Sequence, residues 1–134
     1  SENLFQDDHG VVRSILSTTG RGYYVIGLIA PNHEPTNHVL RDIALYKDEL
    51  EQWNRKIVLV FRNQTEADLF RLSDFPELPA NVIFVVDYEG QIAAELSGTL
   101  PVIKIADTFN RVVFSSEGYT IGIGETLLKS IRLL

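Results

Sequence analysis

His33, Glu34, Thr36 and His38 are the residues of this chain whose types and spacing offer chemistry, and all four fall in the run His33-Glu34-Pro35-Thr36-Asn37-His38. Two imidazoles and a carboxylate suit zinc. His33 and His38 stand five positions apart, however, and a helix aligns side chains at steps of three and four. The three make a poor ligand set, and no metal is expected. Thr36 is a nucleophile only if a base activates it, and His33 is the one base at hand. No Ser/His/Asp spacing marks a hydrolase. A hydroxyl at an exposed helix start, with His33 and Asn37 facing water, is the simpler reading, so no catalytic residue is expected. The chain has no cysteine. Disulfide exchange needs an attacking thiolate, so the chain cannot run dithiol chemistry on its own residues.

Two further groupings draw attention. Asp48, Glu49 and Glu51, with Asp42 nearby, form an acidic cluster that reads as a solvated helix face. Residues 118–124 are Gly-rich but carry neither Gly-x-Gly-x-x-Gly nor the Lys-Ser/Thr of a phosphate-binding loop, so they read as a loop. No cofactor is expected. The formal net charge is −6, and Lys104, Arg111, Lys129 and Arg132 are scattered. A nucleic-acid partner needs a basic track, so none is expected. No apolar run approaches the roughly 18 residues of a membrane span.

The elements that must position these residues follow from periodicity and punctuation. With 134 residues and 45% hydrophobic content, the chain suits one domain with a real core. It begins with Ser1 and contains no Met, which points to a processed protein or a piece of a longer one with other domains. Glu2-Asn3-Leu4-Phe5-Gln6 is similar to a protease tag site lacking its tyrosine, and no structure is assigned to residues 1–6. Residues 11–16 read as a short strand after the Asp7-Asp8-His9-Gly10 turn, and 17–22 as a second turn. Residues 23–29 and 56–61 are nearly continuous apolar runs, the mark of strands buried on both faces. Between them, Val39, Leu40, Ile43, Tyr46, Leu50 and Trp53 predict one amphipathic helix over about 36–53, with Pro35 suited to its first turn.

The second half is read in the same way. Asn63 or Thr65 caps a short helix through Leu72, and 73–80 is a loop. Residues 82–86 form a strand, and 91–96 make two helical turns. Residues 102–106 and 111–114 form a hairpin about Asp107-Thr108-Phe109-Asn110. Residues 125–134 form a last helix with Leu127, Leu128, Ile131 and Leu134 on one side. Strands alternating with helices predict a largely parallel sheet, to which the hairpin adds antiparallel pairing.

This order resembles the thioredoxin-like family and, within it, the TlpA-like branch. The resemblance runs from about Asp8 to Leu134. It is carried by residues 23–30 leading into Pro31-Asn32-His33-Glu34-Pro35-Thr36, by Val82-Ile83-Phe84-Val85-Val86-Asp87 with Gly90, by the segment starting at Leu100-Pro101, and by Gly118-Tyr119. It implies a thioredoxin-like α/β sandwich, a central mixed sheet flanked by helices, here with an N-terminal β extension. It also implies that His33 and Thr36 stand where the family keeps its two cysteines, with Pro35 where a proline often lies between them, and that Pro101 is the cis-proline beside them.

In such a fold that surface accepts extended chain by backbone pairing, which needs no thiol. The candidate groove is therefore His33, Glu34, Pro35, Thr36, Leu100 and Pro101. The resemblance then implies a redox-inactive domain of an extracytoplasmic protein that binds a protein or extended peptide, or that positions a neighbouring domain. The alternative is an enzyme of the thioredoxin family that uses the same groove without cysteine, or that holds a thiol substrate non-covalently.

Overall fold

The computed structural model describes residues 3–134. In chain order it contains strand β1 (Leu4–Gln6), β2 (Val12–Ser14), helix α1 (Ile15–Thr19), β3 (Tyr23–Ile29), α2 (Glu34–Leu45), α3 (Lys47–Trp53), β4 (Ile57–Phe61), α4 (Gln64–Leu69), β5 (Val82–Asp87), α5 (Gln91–Glu95), β6 (Val102–Asp107), β7 (Val112–Glu117) and α6 (Ile123–Arg132). The seven strands form one sheet in the order β2-β1-β5-β4-β3-β6-β7. β3, β4 and β5 run parallel, and every other pairing is antiparallel. The expected mixed sheet and N-terminal β extension are both present.

The two apolar runs occupy the centre. All five residues of β4 are buried, as are six of the seven in β3, because helices cover both faces. On one face Ile29, Leu59 and Ile105 pack with Val39, Leu40, Ile43, Leu50 and Leu127 from α2, α3 and α6. On the other, Ile26, Val58 and Val60 pack with Phe5, Ile15, Ile92 and Leu96. Each fully buried aliphatic side chain contributes about 1.5–3 kcal/mol through burial, so the two layers hold the strand ends in fixed register. α6 crosses the end of α2 closely. A Cβ on Gly124 would lie 2.7 Å from the Asp42 carbonyl oxygen, so only glycine permits this approach.

The structure corrects several boundaries. Residues 11–16 are not one strand. Ser14 ends β2 and caps α1, its hydroxyl accepting from the Ser17 N–H at 3.1 Å. Leu4–Gln6 is strand β1 and not unstructured chain, pairing with β5 at Phe5↔Asp87 and Gln6↔Val86; Ser1 and Glu2 lie outside the described residues. The single helix over 36–53 is two, broken at Tyr46 (φ −110°, ψ 29°). Periodicity misses the break because Ile43 and Leu50, on either side of it, both face the same core. Asn63 does cap α4, but the helix ends at Leu69 and residues Leu72–Asp74 form a separate 3-10 turn. α6 stops at Arg132, leaving Leu134 45% exposed.

Short α5 is fastened to the sheet. The buried Asp87 carboxylate at the end of β5 accepts from the Ile92 and Ala93 N–H groups at 3.0 and 2.9 Å. On its outer side, the Gln91 side-chain oxygen accepts from the Leu4 N–H at 3.3 Å, and Asn3 donates to Glu95 at 2.8 Å.

Candidate functional site

The site is built where β3 hands over to α2. His33 is extended (φ −127°, ψ 114°) and serves as the N-cap. Its Nδ1 accepts from the Thr36 N–H at 3.3 Å and lies 2.9 Å from Thr36 Oγ1. An Nδ1 that accepts a backbone N–H carries no proton, so the Thr36 hydroxyl donates to it and Nε2 holds the ring proton. Thr36 Oγ1 in turn accepts from the Ala30 N–H at 3.3 Å. His33 therefore does not simply face water. It supplies one helix-start acceptor, and the hydroxyl stitches the end of β3 to the first turn of α2.

The 2.9 Å contact has the reach of a base and its nucleophile. Thr36 is fully buried, however, and its hydroxyl already serves one acceptor and one donor. The pair is structural. Pro35 lies in the first turn of α2, as expected. Glu34 is also in the first turn, its carboxylate 83% exposed and favoured by the positive end of the helix dipole.

Leu100-Pro101 is a cis peptide, as the resemblance implies. The β3–β6 register ends at Leu28↔Val102, just before the two strands diverge into residues 30–33 and back to Pro101. The strand that leads into residues 33–36 and the strand that follows Pro101 are thus adjacent in the sheet. The Gly118 N–H bridges the carbonyls of Thr99 and Pro101, each at 2.9 Å. Pro101 and Thr36 are buried, His33, Pro35 and Leu100 are half-buried, and Glu34 is exposed. Glu34, His33, Pro35 and Leu100 are thus accessible, while Thr36 and Pro101 lie beneath the surface.

One contact is not read from the sequence. The His38 ring stacks on Tyr119 with centroids 4.8 Å apart, and its Nε2 lies 3.5 Å from Glu34. This aromatic pair packs the loop after β7 against α2. Its signal in the sequence is no more than an aromatic after Gly118. His33 and His38 thus point to different partners, Thr36 and Tyr119. Among the described residues no three His, Asp or Glu side chains converge to hold a metal ion.

The acidic cluster is not a uniformly solvated face. Glu51 accepts from the Ala80 N–H at 2.7 Å and pairs with Lys47 at 3.2 Å; the Ala80 N–H first, then the Lys47 ammonium, hold its carboxyl below the usual range. Asp42 accepts from the Gly124 N–H at 3.4 Å. Asp48 is exposed, as expected.

Solved structures with this arrangement identify the fold. A candidate thiol:disulfide interchange protein DsbE from Chlorobium tepidum superposes with a TM-score of 0.76 at 16% identity, covering 99% of this chain and 92% of its own. The thioredoxin-like fold is the fold of this chain. StoA from Bacillus subtilis (TM-score 0.69, 17% identity, 97% and 96% covered) and the exposed lipoprotein thioredoxin Etrx1 from Streptococcus pneumoniae (0.70, 14%, 100% of both chains) are similar over their whole length. No family model matches this thioredoxin-like chain, and no curated protein matches it. Without cysteine, it has no dithiol of its own to exchange. No helix among the described residues is long and apolar enough to cross a membrane.

Proposed function

We propose that this chain is a redox-inactive thioredoxin-like domain that binds a protein or extended peptide over His33, Glu34, Pro35 and Leu100, with Thr36 and Pro101 as its floor, and that it serves a larger extracytoplasmic protein. The carrying observation is the use made of the two positions that stand in for cysteine. His33 and Thr36 are hydrogen-bonded to each other and to the backbone, so they stabilise the loop and leave its outer surface to recognition. An extracytoplasmic setting is supported by the exposed lipoprotein among the similar structures.

The test is an NMR titration of the isotopically labelled chain with a library of extended peptides. The expected result is movement of the amides of residues 33–36 and 99–102. Turnover of a disulfide substrate by the purified chain, or amides that stay still with every peptide, would overturn the reading.

A further inference from the structure

A second surface, far along the sheet from Pro101, has the features of a strand acceptor. β5 pairs along its inner side with β4 over Val82–Val86, from Ile57↔Val82 to Phe61↔Val86. On its outer side β1 reaches only Val86 and Asp87, because the Asp7-Asp8-His9-Gly10 turn then carries the chain into β2. Residues 82–85 therefore have no strand partner on that side among the described residues. The Leu4 carbonyl accepts from the Tyr88 N–H, and in an antiparallel pair hydrogen-bonded positions alternate. The backbone groups of Val86 and Phe84 consequently point outward. Val86 meets β1, and Phe84 meets nothing in the ladder.

The other edges of the sheet are guarded and this one is not. β2 has three residues and carries Arg13. β7 follows Arg111 and ends on Glu117, and its pairing with β6 is irregular at Ile105/Ala106. Bulges, charges and shortness are the usual means of keeping an edge from recruiting another strand. Val82-Ile83-Phe84-Val85 has no charge, proline or bulge. Open cavities flank it on both faces. One, of about 290 Å³, is lined by Phe61, Phe70, Leu72 and Phe84. The other, of about 450 Å³, is lined by Phe5, Thr18, Ile83 and Val85. Alternate side chains of an added strand would enter the two in turn.

The charge around the edge selects the occupant. Asp7 and Asp8 line both cavities and Glu77 stands beside Val82 and Phe84, against Arg13 and Lys47. Arg13 is held by Asp7 at 2.7 Å, and Lys47 lies 3.2 Å from Glu51 and 4.0 Å from Glu77. Asp8 and Glu77 are each 84% exposed. A second copy of this chain would bring the same acidic rim, on a protein of net charge −6, against itself. We propose that the outer edge of β5 over residues 82–85 binds an extended peptide segment with alternating apolar side chains and a flanking lysine or arginine, by strand addition.

The probe is the synthetic peptide Lys-Val-Thr-Phe-Thr-Val-Lys, titrated into the isotopically labelled full chain. Amides of residues 82–85, with those of Phe70 and Leu72, should move. Methylating the peptide nitrogens that face β5 should weaken binding about tenfold or more, since loss of a hydrogen bond worth about 1.4 kcal/mol is a factor of ten. Asp8→Lys should weaken it less, and less again at high salt. Still amides over 82–85, or equal binding by the methylated peptide, would overturn the proposal. Movement confined to residues 33–36 and 99–102 would also overturn it while supporting the groove above. Concentration-dependent shifts over 82–85 without peptide would replace the peptide with a second copy.

Discussion

At the start of α2, the Ala30 N–H, the Thr36 N–H, the Thr36 hydroxyl and His33 Nδ1 are all partnered within four residues of the helix start. Along residues 82–85 of β5, no strand covers the outer backbone. The first region is closed in its hydrogen bonding and offers a partner shape and one exposed carboxylate. The second is open and offers a partner backbone groups between two apolar cavities. The difference sets a loop closed by its own side chains against a strand edge left open, within one thioredoxin-like fold without thiols. One is held by the hydrogen bonds of His33 and Thr36, and the other depends only on where a neighbouring strand stops.

The sharpest way to break this comparison is to remove the packing beneath each region. Leu40 on α2 is fully buried, whereas Leu72 beside β5 is 52% exposed. Leu40→Ala should cost about 2–5 kcal/mol, and Leu72→Ala about 0.5 kcal/mol or less, both read by urea unfolding. Equal losses would mean that the β5 rim is as much a part of the core as α2. Next in size is Thr36→Val, which keeps the volume but strands the Ala30 N–H. It should cost about 1–3 kcal/mol. A neutral result would show that the hydroxyl is dispensable to the loop.

The smallest expected effect concerns pH. The Arg13 side chain, with the N–H groups of Val11 and His9, holds the Asp7 carboxyl below its ordinary value of 3.8. A carboxyl whose folded pKa is depressed contributes stability that is complete above the unfolded value and is lost as pH falls through the folded one. Acidification from about pH 5 to about pH 2 should therefore loosen the β1–β2 turn. Exchange of the His9 and Val11 amides checks this. Asp7→Asn should flatten the dependence.

Much of this arrangement is legible in the sequence, and the exceptions share a cause. The buried strands β3 and β4 announce themselves as apolar runs, and Pro35 and Asn63 mark helix starts through chemistry local to the chain. What local pattern does not carry is tertiary accounting. Leu4–Gln6 becomes a strand because Asp87 and Val86 offer it an edge. The long helix breaks at Tyr46 where α6 crosses on Gly124. At the site, His33 and Thr36 come together at the start of α2. Their mutual hydrogen bond is not written in their spacing, since a histidine cap is rarer than Ser, Thr, Asn or Asp. Tyr119 stacks on His38 from a loop more than eighty residues away, which no local window connects.

The clasp around α5 has a consequence for the motions of this chain. A helix of five residues does not persist alone in water. α5 lasts as long as Asp87 grips the amides of Ile92 and Ala93 and as long as Asn3 and Leu4 hold Glu95 and Gln91 from outside. The strand β1 and the helix some ninety residues later are thus tied by the same hydrogen bonds, and their amides are expected to open in a shared step in native-state hydrogen exchange. The extreme end of the described chain, though it reads as dispensable, acts as the latch that sets how often this corner of the molecule unfastens.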